Sequence, residues 1–408
     1  MPIHLTRRAL SAATLSAASM AAAGTLALPA ALRAQPATIK IGLIHPVTGA
    51  LSEGGQRCRL GGQTAIADIN AAGGIKSMGG AKLEALLGDA QGRPEIAASL
   101  VDQMAEQGAA AFTGAYASGL GLAATQAAAK AGIPFAIDSG IADSLTARGL
   151  ANVFRFFPAN ATFTEDAMTA LKAINARAGN PAKSATLVHE DSEFGASTAK
   201  LLAAKLPPIG IEVKSIIPHA TPTRDFTNVA LRIKAEKPDL VMMTNYPGEY
   251  TLLARTLVQQ RVELAGMYSV SGGGFSLKFA KEQPQVAEAM MDFNHWYNGK
   301  DARALAFRKR IEDGGNTFGW EVLFGYFAVR LLADAMERAS SAAKDKLTES
   351  LAASTFSDHF MPYGPTKFIN GQNQGAHATA QQVQNGDIKV IWPDQFADGA
   401  AVFPKPKG

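Results

Sequence analysis

Ile39-Lys-Ile-Gly-Leu-Ile-His-Pro-Val-Thr-Gly49 decides the fold, because it sets a rhythm that the chain then repeats. Ile39 to Ile44 reads as a short apolar strand and Pro46 to Gly55 as a Gly-rich loop. Arg57 to Ala72 has helical spacing, stopped by Gly73-Gly74. Strands are then predicted at Leu83 to Leu87, Ala109 to Thr113, Phe135 to Ile137 and Phe154 to Phe157. Between them run a helix opened by Pro94 and closed by Gly108, and an Ala-rich helix from Gly119 to Lys130.

The rhythm restarts after residue 160. Thr162, with Glu165 three residues on, has the form of a capping box for a helix reaching Ala178. Strands at Ala185 to Val188, Glu212 to Ile217 and Leu240 to Thr244 alternate with helices at Glu193 to Lys205, Phe226 to Ala235 and Glu249 to Val258. Such alternation builds parallel sheets flanked by helices, so the chain is predicted to be α/β with two Rossmann-like lobes. The first lobe is expected to take 35–156 and 292–360, the second 157–291 and 361–408. Crossovers are expected at Asn152 to Asn160, near Met290 to Trp296 and at Met361 to Thr366. Parallel sheets bind ligands beyond the carboxyl ends of their strands, so two facing sheets define one cleft between the lobes.

The first 34 residues read as an export signal. Arg7 and Arg8 precede the uncharged, Ala-rich run from Ala9 to Ala31, with a small-residue cleavage site near Ala34. The paired arginines resemble a twin-arginine signal, and the ordinary secretory route stays open. This places the mature chain in the periplasm, starting near Gln35. Removing Arg7, Arg8 and Arg33 from 39 Lys and Arg leaves 36 basic against 35 acidic residues. Such a balance argues against nucleic acid as a partner.

Chemistry-bearing motifs are few. Gly119-Leu-Gly-Leu-Ala-Ala124 mimics a dinucleotide fingerprint, but Gly114 to Ser118 intervene after the strand and place its glycines inside a helix. No phosphate-binding loop or nucleophile elbow is present, and the seven histidines lack metal-ligand spacing. No catalytic residue, cofactor or metal is therefore expected. Cys58, the single cysteine, reads as a half-buried helix residue. Gly114-Ala-Tyr116-Ala-Ser118-Gly119 is a strand-end turn whose N–H groups and Ser118 hydroxyl suit an anion, or whose Ser118 simply caps the next helix. Ser139-Gly140-Ile141 is a second such turn, and neighbouring turns of a parallel sheet converge.

In addition, the opening stretch and Ala67-Asp-Ile-Asn-Ala-Ala-Gly-Gly-Ile75 resemble the leucine/isoleucine/valine-binding family of type I periplasmic solute-binding proteins. So do Ala131 to Pro134, Leu145 to Arg155, Asp191 to Gly195, Lys237 to Asp239 and Gly325 to Val329. The resemblance implies a non-enzymatic, monomeric binding protein that hands a small organic ligand to an ABC permease and ATPase. It puts a carboxylate pocket on Tyr116, Ser118, Ser139, Gly140 and Ile141, with Phe194, Tyr246 and Ser271 closing from the second lobe. The family's amino-acid binders carry threonine, tyrosine and glutamate where this chain has Ile141, Phe194 and Ser271. Without that glutamate an ammonium lacks its counter-charge, and the expectation shifts to a carboxylate with an apolar or aromatic body. A branched-chain amino acid or amide ligand, a ligand-sensing module and an α/β oxidoreductase are the alternatives. Gly54 stands where the family often has an aromatic residue, which predicts a longer pocket; Asp138 stands where proline is usual.

Overall fold

A computed structural model describes residues 38–406. The export signal read at residues 1–34 lies outside them. The first half of the chain forms β1 (Thr38–His45), β2 (Lys82–Asp89), β3 (Ala109–Gly114), β4 (Phe135–Ile137) and β5 (Val153–Arg155). The second half forms β6 (Ser184–Glu190), β7 (Glu212–His219), β8 (Leu240–Thr244), β9 (Gly266–Val270) and β10 (Met291–Asn294). Then come β11 (Phe368–Ile369), β12 (Gln372–Asn373), β13 (Thr379–Gln384) and β14 (Asp387–Trp392).

Two seven-stranded sheets result, in the orders β11-β12-β5-β4-β3-β1-β2 and β14-β13-β10-β9-β8-β6-β7. The sheets are mixed, because β11, β13 and β14 form antiparallel edges on otherwise parallel sheets. Helices cover both, and the fold is the expected α/β pair of lobes. The expected lobe boundaries move in two places. β10 pairs with β9, so the chain leaves the second lobe after Asn294, not before residue 292. The last return falls between Asn373 and Thr379, not at 361, because Gln372 pairs with Arg155 of the first sheet.

The first lobe is closed by a helix supplied late in the chain. Ser52–Ala71 packs along Trp320–Ala339, and glycines bring the two close: a Cβ on Gly61 would stand 2.0 Å from the Val322 carbonyl oxygen, and one on Gly325 2.2 Å from that of Cys58. Cys58 lies on this seam and is fully buried rather than half-buried. The predicted capping box is absent. The helix runs Asn160–Arg177, with Thr162 already inside it and no side-chain cap. Its first N–H groups are instead met from the first lobe, Asn160 N–H by the Ile141 carbonyl at 2.9 Å and Ala161 N–H by Asp143 Oδ1 at 3.1 Å. Tertiary acceptors thus replace the local cap. No described helix is long and apolar enough to cross a membrane.

Candidate functional site

Each sheet reverses its strand order once, between β1 and β3 in the first and between β6 and β8 in the second. Loops leaving the strands on either side of such a point diverge and open a crevice. Tyr116 and Ser118 follow β3, Ser139 to Ile141 follow β4, Phe194 follows β6, Tyr246 follows β8 and Ser271 follows β9. All eight line one narrow cavity of about 20 Å³, together with Ala117, Gly273 and Trp320. Each of the lining side chains named from sequence is buried. Two lining residues other than glycine have positive φ, Ala117 at 86° and Ser271 at 54°. Such conformations cost free energy and concentrate at binding turns.

The turn Ser139 to Ile141 is held from behind by Arg155. This residue ends β5 and is fully buried. Its guanidinium donates to the carbonyls of Gly140 at 3.0 Å and Ala142 at 2.8 Å, to Thr146 Oγ1 at 3.2 Å and to Gln372 Oε1 at 2.7 Å. No carboxylate pairs with it among the described residues. Burial lowers it to about 10, so it stays a cation at neutral pH, with Asp143 pulling the other way from a distance. Fixing the carbonyls leaves the Gly140 and Ile141 N–H groups without an acceptor among the described residues. The Ser118 hydroxyl accepts the Ala142 N–H at 3.2 Å, which leaves its own proton to donate. Ser118 also opens the helix Ser118–Ala131, whose N-terminus favours negative charge.

Ser139 is set differently. Its hydroxyl donates to Asp138 Oδ1 at 2.9 Å, so its oxygen faces other partners as an acceptor. Asp138 does not line the cavity. It is fully buried, near Thr113 Oγ1 at 3.3 Å and His45 Nε2 at 3.1 Å.

Aromatic rings make the body of the cavity. Tyr116 stacks near Trp320 at 6.2 Å between centroids, Tyr116 meets Tyr246 across the lobes at 5.9 Å, and Phe194 meets Tyr246 at 5.4 Å. Phe194 is fixed because the Glu190 carboxylate accepts from Ser192 N, Ser192 Oγ and Gly195 N, capping the helix Glu193–Lys205. The predicted extension beside Gly54 is filled: a Cβ there would sit 2.2 Å from the Tyr116 ring, so Tyr116 supplies the wall that the family draws from position 54. Outside the cavity the lobes are tied by Ser144 Oγ donating to Glu193 Oε1 at 2.8 Å and by Lys278 Nζ, 3.7 Å from Glu53 Oε1.

Sequence reasoning missed Trp320 and Arg155 as parts of the site. Trp320 opens a helix 204 residues beyond Tyr116, the ring it stacks on, and sits in no motif. Arg155 stands out in the sequence only within the Val153-Phe-Arg155 resemblance and inside the predicted strand Phe154 to Phe157.

Two lobes closed over one aromatic-walled cavity at facing switch points define a solute-binding protein. The chain belongs to the periplasmic binding protein family, which it matches over residues 38–387, and it is a type I member of the leucine/isoleucine/valine-binding group. Proteins of this group are not enzymes. The Leu/Ile/Val-binding protein homolog 7 of Brucella melitensis is 27% identical over 389 residues, covering 90% of this chain and 95% of that one. Among solved structures, a solute-binding protein of an R. palustris ABC transporter, in complex with benzoate, superposes with a TM-score of 0.76 at 20% identity, over 87% of this chain and 95% of that one. The branched-chain amino acid transporter substrate-binding protein of Streptococcus pneumoniae, in complex with isoleucine, gives 0.75 at 21% identity, over 90% and 100%. At these identities the two structures speak for the fold.

Proposed function

We propose that this chain is the extracytoplasmic substrate-binding protein of an ABC importer and that it takes a small carboxylate with an aromatic body. One observation carries the reading. Among the described residues the cavity is lined by no acidic or basic side chain, while a buried guanidinium that no described carboxylate pairs with, Arg155, stands behind its donor turn. A buried charge left uncompensated is costly, and an anionic ligand offsets it through the polarised turn. The Gly140 and Ile141 N–H groups and the Ser118 hydroxyl supply the donors, and the rings of Tyr116, Phe194, Tyr246 and Trp320 surround the body. The benzoate complex of the R. palustris relative agrees with this chemistry.

A second reading, a branched-chain amino acid, draws on Ser139. Its hydroxyl is committed to Asp138, so its oxygen is free to accept from an ammonium. The relatives named as Leu/Ile/Val-binding homologues, and the isoleucine complex, lean the same way.

Calorimetric titration of the purified chain with benzoate, phenylacetate, leucine and deaminated leucine separates the two. The first reading expects the acids to bind and leucine to bind at least tenfold more weakly, about 1.4 kcal/mol. Leucine binding with no response to deaminated leucine or to the aromatic acids overturns it.

A further inference from the structure

His45, Cys58 and Asp138 form a second cluster, behind the cleft wall. His45 ends β1, Cys58 lies on the helix Ser52–Ala71 and Asp138 follows β4. A ring nitrogen, the Sγ and a carboxylate oxygen all lie within 4.8 Å of one another. The three residues are 1%, 0% and 0% exposed. We propose that they form a binding site for one divalent cation of the zinc type.

The donor set and its spacing both point that way. Imidazole, thiolate and carboxylate together are the ligands of zinc, whereas calcium and magnesium take oxygen alone. Bonds of 2.0–2.3 Å in a tetrahedron place ligand atoms about 3.3–3.7 Å apart. His45 Nε2 and Asp138 Oδ2, at 3.1 Å, already stand close to that separation. Cys58 Sγ, within 4.8 Å of both, completes the triangle with a movement of about 1 Å, given those bond lengths.

The protein alone leaves this cluster poorly satisfied. Neither nitrogen of the His45 ring makes a directed hydrogen bond to any described residue, so its approach to Asp138 is close but not aligned. A fully buried imidazole without an aligned partner is costly, and a cation removes that cost. The charges also balance, since a thiolate and a carboxylate with neutral imidazole cancel a divalent ion and leave no net charge in the core. Thr113 Oγ1 and Ser139 Oγ, both on Asp138, orient that carboxylate from outside the ligand set. Ser139 lines the cleft and bonds Asp138, so the cluster lies one side chain behind the cleft wall.

Zinc and cobalt(II) binding to the purified, chelator-stripped chain tests the site without any organic ligand. One cation per chain is expected, and cobalt should give a thiolate-to-metal charge-transfer band in the near ultraviolet. Cys58→Ser should abolish the band, and Cys58→Ser and His45→Ala should each weaken zinc by roughly tenfold or more. Circular dichroism checks that the variants fold; should they fail to, protection of Cys58 in the unaltered chain from a thiol reagent by zinc gives the same answer. No band and no protection overturn the proposal, as does zinc held equally well by folded Cys58→Ser and His45→Ala.

Discussion

Arg57 Nη1 lies 2.9 Å from Glu321 Oε1, and both side chains are buried although the residues are 264 positions apart. The pair joins the helix Ser52–Ala71 to the helix Trp320–Ala339 one residue from Trp320, and so anchors the aromatic wall of the cavity to the first lobe. Glu53, one turn before Arg57, also contacts the guanidinium and reaches toward Lys278 of the second lobe. Burial pushes the Glu321 carboxyl up, and Arg57 opposes that.

Glu321→Ala is expected to destabilise the protein by about 3–5 kcal/mol, since it strands a buried guanidinium with only a half-exposed partner. Chemical denaturation measures this. A loss below about 1 kcal/mol would mean that Glu53 alone satisfies Arg57.

Arg155→Met should cut affinity for an aromatic carboxylate by roughly tenfold or more, about 1.4 kcal/mol. It should change affinity for the matching neutral amide much less, because only the acid uses the buried charge. Titration with benzoate and benzamide reads the difference, and Arg155→Lys should recover part of it. Equal losses for acid and amide would assign Arg155 to shaping the turn alone.

Ser118→Ala removes both a donor to the ligand and the acceptor of the Ala142 N–H. It should weaken acid binding by about 1–3 kcal/mol and lower the melting point modestly. Calorimetry alongside a melting curve separates the effects, and unchanged affinity would leave Ser118 a structural residue.

Ser271→Glu places a negative charge at a buried position in the cavity wall and should abolish measurable binding of aromatic acids. At 4 Å even an effective dielectric constant of 20 gives about 4 kcal/mol of repulsion between two anions. The same variant should gain response to leucine, read as a shift in melting temperature. Retained acid binding would place the ligand carboxylate away from Ser271.

Asp292 carries a pH signature. Burial raises it from 3.8 to about 7, against bonds from Asn294, Gly272 and Ser269. The folded protein therefore holds this proton more tightly than the unfolded chain. The contribution is full below pH 3.8, declines as pH rises, and is lost above about 7, to a total of no more than about 4 kcal/mol. Asp292→Asn, which keeps an acceptor for the Gly272 N–H, should flatten the fall in melting temperature between about pH 4 and about 7. An unchanged pH profile would exclude Asp292 as its source.

The sequence makes most strands of the two sheets and their strand-end turns legible because both depend on local signals. Apolar runs bounded by Gly and Pro mark β1 to β8 within a few residues, while β9 (Gly266–Val270) goes unmarked, and strands of a parallel sheet bring Ser118 and Ser139 together by geometry. What escaped depends on contacts between distant residues. β11 and β12 have two residues each, too short for any periodicity, so the last return was placed at Met361 instead of after Asn373. Thr162 and Glu165 fit a cap locally, yet Ile141 and Asp143 of the other lobe meet those N–H groups. His45, Cys58 and Asp138 showed no metal-ligand spacing since three separate elements carry them.

The pairing of Arg155 with Gln372, 217 residues downstream, has a bearing on how the polypeptide is made. Translation is vectorial, so a ribosome that has finished β1 to β5 has delivered only part of a lobe. Its seam along Ser52–Ala71 waits bare until Trp320–Ala339 emerges, and its fifth strand waits for Gln372. The middle portion, residues 160 to 294, is completed earlier but still lacks β13 and β14. Neither lobe is an autonomous unit of synthesis, and a nascent chain of this protein carries sticky, half-covered surfaces until β14, which ends at Trp392, has emerged. Half-covered apolar surfaces of this kind are what make an incomplete chain prone to association, whatever small molecule the finished protein carries.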